Sequence, residues 1–252
     1  MDLGLAGRVA LVTGASRGIG AAIAGGLAAE GCRVAICARG EAVLRETAAR
    51  IGAGGAEVLP LVADLTATGE AERVVGETLA RFGQLDILVN NLGGGRADDT
   101  DEAWDFTFDV NLGVAVRASR AAIVPMKEQR RGVILLISSV SGWQVGGSAA
   151  YNAAKAAEIM YARSLAKDLG PFGIRANAVS PGSIIFPGGG WERRQQRDPA
   201  VIADFIARDM PIGRFGTPQE IANVVVFLAS DRASLVTGAN VAVDGCQLRP
   251  SV

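Results

Sequence analysis

The sequence predicts a doubly wound α/β fold: a parallel seven-stranded sheet with helices on both faces, in a single domain over residues 1–252. Three observations lead there. Short apolar runs of strand length alternate with longer helical stretches, the order that βαβ units require. A glycine-rich turn joins the first apolar run to the first helical stretch. Gly14, Arg39, Asp64, Asn90, Ser139 and Pro181 all fall at predicted strand ends, and a doubly wound sheet collects its ligand outside the carboxyl ends of its strands.

The first strand, over 8–13, is an unbroken apolar run, as suits a strand buried on both faces. Gly14-Ala15-Ser16-Arg17-Gly18-Ile19-Gly20 follows, then an alanine-rich helix over 21–30. Glycines there let the backbone approach a diphosphate, and the helix start supplies free N–H groups and a favourable dipole. The spacing is GxxxGxG rather than GxGxxG. The second strand covers 33–38. At its end an acidic residue would meet a ribose 2′-hydroxyl, but this chain has Ala38 and then Arg39. Arg39, helped by Arg17, suits a 2′-phosphate, which favours NADP(H).

A helix over 41–51 ends in glycines, and a third strand over 58–62 closes at Asp64-Leu65. A helix is expected over 66–82, started by Asp64 or Thr66. The fourth strand, 85–89, runs into Asn90-Asn91-Leu92-Gly93-Gly94-Gly95. Residues 101–131 read as one long helix or two. Asn111 lies inside, an unfavourable helix residue whose side chain should have a task. The fifth strand, 133–137, leads to Ser138-Ser139-Val140-Ser141-Gly142. The helix carrying Tyr151 and Lys155 runs to about residue 169, and a sixth strand over 174–179 ends in Ser180-Pro181-Gly182. Residues 183–212 read as irregular with short helices. A helix over 217–229 has Thr217 as N-cap and Pro218 in first position. A seventh strand covers 241–245. No linker, repeat or low-complexity segment interrupts this order.

Composition narrows the chemistry. With 49% apolar and 20% charged residues, a sizeable core is expected. A net charge of −1 gives no general attraction to nucleic acid or to an anionic membrane. Cys32, Cys37 and Cys246 are odd in number and lack zinc spacing, which points to a reducing, cytoplasmic setting. No signal peptide and no apolar run of membrane-spanning length are visible. The chain has no histidine, which excludes Ser-His-Asp and Cys-His catalysis and any His-ligated metal; no metal is expected.

Proton transfer must then fall to another group, and Tyr151-x-x-x-Lys155 offers one. Positions i and i+4 share a helix face. A free phenol titrates near ~10, and a neighbouring ammonium favours its phenolate. Such a pair can act as general acid or base on a ketone or alcohol.

Thr13-Gly14-x-x-x-Gly18-x-Gly20, Asn90-Asn91-x-Gly93, Asn111, a serine after strand five, Tyr151-x-x-x-Lys155 and Pro181-Gly182 occur in that order. Together they make the chain resemble the classical short-chain dehydrogenases/reductases over nearly its whole length, with the look of the 3-oxoacyl-[acyl-carrier-protein] reductase-like branch. The resemblance implies a Rossmann-type domain that binds NADP(H). It implies a cofactor site of Gly14, Ser16, Arg17, Gly18, Ile19, Gly20, Arg39, Asp64, Leu65, Asn90, Tyr151, Lys155, Pro181, Gly182 and Ile184. It also implies a catalytic tetrad: Tyr151 as proton donor, Lys155 as its electrostatic partner and ribose ligand, Ser139 orienting the substrate oxygen, and Asn111 holding a water. A small-molecule carbonyl or acyl-thioester substrate and a homotetramer are further implications.

This chain departs from the family pattern in places. Spacing back from Tyr151 selects Ser138, whereas the Ser-Val-Ser-Gly run selects Ser139, which is preferred because a loop shortens more easily than a buried strand shifts. Leu92 replaces an alanine beside the cofactor. Phe186 stands where many members have a threonine. Residues 183–212 form the expected substrate lid, in which Trp191 could cover an apolar group and Arg193, Arg194 and Arg197 could meet an anion or simply face solvent. Trp143, Gln144, Phe186 and Trp191 are the expected substrate contacts. The reading is an NADPH-dependent ketone reductase. The alternatives are a dehydrogenase of a sugar, polyol or hydroxysteroid, and a non-catalytic NADP(H)-binding protein.

Overall fold

Period-two alternation within each apolar run sends successive side chains to opposite faces of a sheet, so both faces must be covered. The computed structural model describes residues 2–248 and shows how. Strands β1 (Val9–Thr13), β2 (Arg33–Ala38), β3 (Val58–Val62), β4 (Ile87–Asn90), β5 (Gly132–Ile137), β6 (Ile174–Pro181) and β7 (Asn240–Val243) form one parallel sheet in the order β3-β2-β1-β4-β5-β6-β7. Helices α1 (Gly18–Ala29), α2 (Glu41–Gly52) and α9 (Pro218–Ala229) cover one face, packing on Ala10, Val12, Ile36, Val89 and Leu135. Helices α3 (Glu70–Phe82), α5 (Val114–Glu128) and α6 (Ala149–Leu169) cover the other, on Leu11, Ala35, Leu88, Ile134 and Leu136.

Several boundaries differ from the sequence reading, each for a local reason. Helix α3 starts at Glu70 rather than at 66. Asp64 Oδ1 accepts from the backbone N–H and hydroxyl of Thr66 and closes a turn instead, and Gly69 at φ +81° stands directly before the helix. The 101–131 stretch splits into α4 (Asp101–Phe108) and α5 around a single π-helical turn, Asp109–Gly113, which contains Asn111. Such turns recur at functional sites. Within residues 183–212 the expected short helices are present. They are α7 (Gly190–Arg197) and α8 (Pro199–Asp209), the latter capped by Asp198 and started by Pro199. Their apolar side chains form a small cluster around Ile202, Met210 and Phe215. Among the described residues, no helix is long and apolar enough to cross a membrane.

The chain moves outward from β1 through β2 to β3, then returns to lay β4 on the other side of β1. A crevice opens where the order reverses, between the loops after β1 and β4. Thr13 and Asn91 join these loops. The Thr13 hydroxyl accepts from the N–H groups of Asn91 (2.9 Å) and Leu92 (3.1 Å), while Asn91 Nδ2 donates to the carbonyls of Thr13 and Gly14. Thr13 is buried, so no water can replace its oxygen. The shape-conserving Thr13→Val substitution should therefore cost about 1 kcal/mol in urea unfolding, because it leaves two part-buried donors without their acceptor; an unchanged midpoint would show that the two loops are held by other contacts.

Candidate active site

The loop after β1 is shaped by glycine. Gly14 sits at φ +64°, and a Cβ there would lie 3.0 Å from the Leu92 Cα. A Cβ on Gly20 would lie 2.5 Å from Asn91 Nδ2 and 2.6 Å from the Gly14 carbonyl oxygen. No side chain caps α1: Arg17 occupies the N-cap without a side-chain cap bond. The first-turn N–H groups thus remain available to an anion. The carbonyl of Ser16 accepts from Thr47, and Ile19 packs into the core. These features fit a dinucleotide diphosphate, whose close approach needs this bare backbone.

Around that cradle stand the other expected cofactor residues. Arg17 and Arg39 are exposed. Hydrogen bonds from Thr66, with a contribution from Arg39, hold the Asp64 carboxyl below the usual carboxylate range. Leu65 is buried, and its carbonyl accepts from Arg117. Asn90 is buried; its Nδ2 donates to Ser119 while Oδ1 has no partner among the described residues. Gly182 N–H donates to the Val243 carbonyl after Pro181, and buried Ile184 bridges to Gly216. Phe186 also lies on this side. Its ring covers Gly18, where a Cβ would come 2.7 Å from the ring Cζ. The bare Gly18 and Gly189 backbones give the ring a seat, so it sits on the glycine loop and not in the cavity that Tyr151 lines.

Helix α6 starts at Ser148, whose hydroxyl accepts from the Tyr151 N–H. The cap starts the helix at this point, and helix pitch then puts Tyr151 and Lys155 about one turn apart on one face. Lys155 Nζ lies 5.7 Å from the Tyr151 ring centroid. The loop after β4 passes close to both residues and needs its glycines to do so. A Cβ on Gly93 would lie 3.1 Å from Lys155 Nζ and 2.8 Å from Asn111 Oδ1, and one on Gly95 would lie 3.3 Å from Tyr151 Cδ2. Asn111 pins this loop: Oδ1 accepts from Gly94 N–H, and Nδ2 donates to the carbonyls of Gly94 and Thr107. Its side chain is thus committed to the backbone of this loop and of α4.

Lys155 is buried, and Nζ donates to the Ile137 carbonyl (3.0 Å) and to Glu158 Oε1 (3.2 Å) and Oε2 (2.9 Å). Burial works against the ammonium, but Glu158 and Tyr151 outweigh it, and the lysine is held charged above its ordinary range. The two serines after β5 divide. Ser138 is buried and its hydroxyl donates to the Lys155 carbonyl (2.7 Å), which ties β5 to α6. Ser139 Oγ accepts from Ser141 N–H and lines the cavity beside Tyr151.

That cavity, about 710 Å³, lies between α6, the β5 loop and α7. Gln144 and Trp191 line it, together with Arg194 and two residues that the sequence did not flag, Arg96 and Gln247. Gln247 arrives from the far end of the chain; its Nε2 donates to Ser183 Oγ and its Oε1 accepts from Ser183 N–H. Nothing in local sequence marks such a residue. Trp143 is 52% exposed and does not line the cavity. The preceding Gly142 is pressed on α6, where a Cβ would lie 2.9 Å from the Lys155 carbonyl carbon, and the next side chain is left in solvent. Trp191 stacks on Phe205 (4.8 Å) and carries the Arg194 guanidinium on its ring (5.0 Å). Arg193 instead donates to the Gly188 carbonyl, and Arg197 lies in an adjacent surface hollow with Asp204 and Phe205.

This arrangement can be compared with known proteins. Residues 14–246 match the family model described as Enoyl-(Acyl carrier protein) reductase. The chain is 40% identical over 244 residues to the 3-oxoacyl-[acyl-carrier-protein] reductase FabG of Escherichia coli (strain K12), covering 95% of this chain and 96% of that protein. It is 38% identical over 272 residues to cyclohexanol dehydrogenase of Rhodococcus sp. (strain TK6), covering 97% of each. The crystal structure of L-sorbose reductase from Gluconobacter frateurii, complexed with NADPH and L-sorbose, aligns with a TM-score of 0.93 at 33% identity, over 99% of this chain and 100% of that one. With matches of this extent on top of the seven-stranded fold, the chain belongs to the short-chain dehydrogenase/reductase family of oxidoreductases.

Proposed function

We propose that the protein reduces a ketone, a 3-oxoacyl thioester or a related carbonyl, to the alcohol, with NADPH as its reductant. The observation that carries this reading is the placement of Tyr151 and Ser139 on the wall of one cavity with a charged Lys155 directly behind the tyrosine. A nicotinamide cofactor supplies a hydride when bound. The residues that would hold it are the Gly14–Gly20 loop for the diphosphate, Arg17 and Arg39 for a 2′-phosphate, and Asp64, Leu65, Asn90, Pro181, Gly182 and Ile184 for the rest. The NADPH complex of L-sorbose reductase supports the same choice.

The chain's own groups manage the proton. Tyr151 donates its phenolic proton to the carbonyl oxygen as negative charge develops there. Lys155 stabilises the resulting phenolate. Ser139 orients the same oxygen through its hydroxyl, while Ser138 holds the backbone of α6 against β5. Asn111 keeps the Gly93–Gly95 loop out of the way by fixing Gly94. The 183–212 segment serves as a substrate lid within a single domain, with Trp191 and Arg194 on its inner side.

A second reading has its own support. Ser139, Gln144, Arg194 and Gln247 make a hydrogen-bonding cavity wall, which suits a sugar or polyol, and the similar L-sorbose reductase was solved with L-sorbose. A panel of acyl thioesters, β-ketoesters, ketoses and steroids, each assayed with NADPH, separates the two.

Tyr151→Phe should lower kcat/KM by about 10²–10⁴-fold, the typical worth of a general acid; full activity in that variant would remove the proton-donor role. The two serines should part company. Ser139→Ala should lose about 10²–10³-fold in kcat. Ser138→Ala should mainly lose about 1 kcal/mol of stability; the reverse pattern would exchange their roles. Arg39→Asp should shift the ratio of kcat/KM values toward NADH by about 10–100-fold, as expected from losing a charge-assisted bond; a wild-type preference for NADH would contradict the role given to Arg39.

A further inference from the structure

Among the described residues, Glu158 is the one buried acidic side chain beside the Tyr151-Lys155 pair, and the scheme above makes no use of it. It follows Lys155 by three positions on α6, so the two share a helix face. Both side chains are only 3% exposed. A buried carboxylate needs compensation, and Lys155 is its sole hydrogen-bond partner among the described residues. The lysine is equally committed. An ammonium has three donors, and here they meet the Ile137 carbonyl and both Glu158 oxygens.

A buried ion pair is weak support for a fold, since apolar residues of similar volume often do as well. Its position therefore points to chemistry. A lone ammonium behind Tyr151 would favour the phenolate, whereas an ammonium already paired with a carboxylate presents far less net charge. Other charges stand near the pair: Arg96, Arg194 and Asp209 line the cavity that Tyr151 lines, and they are the same in every variant compared below. β5 and the turn Val140–Gly142 bring none. β6 brings Arg175, which donates to the carbonyls of Leu228, Val236 and Ser230. Asp109 on the π turn pairs with Arg117, and Asp101, Glu102 and Asp105 on α4 are exposed. Along α6 itself, Tyr161 is only partly exposed, and Arg163, Lys167 and Asp168 are exposed.

We infer that Glu158 is a positioning residue for Lys155: its carboxylate seats the ammonium against the Ile137 carbonyl and offsets the charge that Lys155 presents to Tyr151. This rests on the proton-donor reading of Tyr151. Glu158→Gln keeps the shape and one acceptor but removes the charge. The test uses the full chain and two readouts. One is the tyrosinate ultraviolet absorbance of the free protein across pH, with Tyr151→Phe subtracted. The other is the pH profile of kcat/KM for ketone reduction by NADPH.

In both readouts the Glu158→Gln midpoint should fall by about one pH unit or more. Glu158→Asp, which restores the charge, should return it most of the way. A midpoint that stays in place or rises in Glu158→Gln overturns the inference, as does a Glu158→Asp protein that behaves like Glu158→Gln. Should Glu158→Gln lose its circular dichroism signature, Glu158→Leu is read in the same way. If Tyr151→Phe proved fully active, the proton-donor reading would fall on its own. The absorbance titration would still decide whether Glu158 sets the charge felt by Tyr151.

Discussion

The arrangement of this site depends on one buried ammonium. Lys155 reaches its place only because α6 lies on β5 closely enough for Nζ to meet the Ile137 carbonyl and for Ser138 to meet the Lys155 carbonyl. The glycine at 93 leaves room above it, since a Cβ would press on Nζ. Asn111 then locks that glycine loop in position. Burying the charge is costly unless it is paired. Glu158 meets the cost from inside the same helix, so the neighbouring tyrosine faces a charge whose magnitude the protein sets.

The second constraint is the switch in strand order between β1 and β4. It opens the crevice, and the bonds between Thr13 and Asn91 determine how far the loops after these strands part. The crevice is bordered by bare backbone on one side and by the Asn90–Gly95 loop on the other. A dinucleotide laid across it would run from the exposed Arg17 and Arg39 toward Tyr151. The substrate cavity lies beyond, closed partly by α7 and partly by Gln247 from the end of the described chain.

Much of this was legible in the sequence because its signals are local. Unbroken apolar runs marked the strands, Thr217 and Pro218 marked the start of α9, and the Tyr151-Lys155 spacing marked a shared helix face. What escaped depends on tertiary geometry. The direction in which Ser138 and Ser139 point is decided by how β5 meets α6, whereas in the sequence the spacing from Tyr151 points to Ser138 and the Ser-Val-Ser-Gly run to Ser139. Trp143 and Phe186 sit near the site in sequence, yet Gly142 leaves the first in solvent and Gly18 receives the second. The turn at Asp64 reads as a helix start because Asp and Thr serve both purposes, and only the fold shows the helix beginning at Glu70. Glu158 was visible three residues after Lys155, but only its burial gives it meaning. Gln247 and Arg96 carried no sequence signal, since distant segments bring them to the cavity.

Removing the charge at the centre tests the account most directly. Lys155→Met replaces the ammonium by an apolar chain of similar length, and single-turnover oxidation of bound NADPH in the presence of ketone reads the chemical step alone. The account predicts a folded protein in which that step slows by about 10²-fold or more, as expected when a group acting on the proton donor is lost. A Lys155→Met protein that turns over at close to the wild-type rate would contradict it.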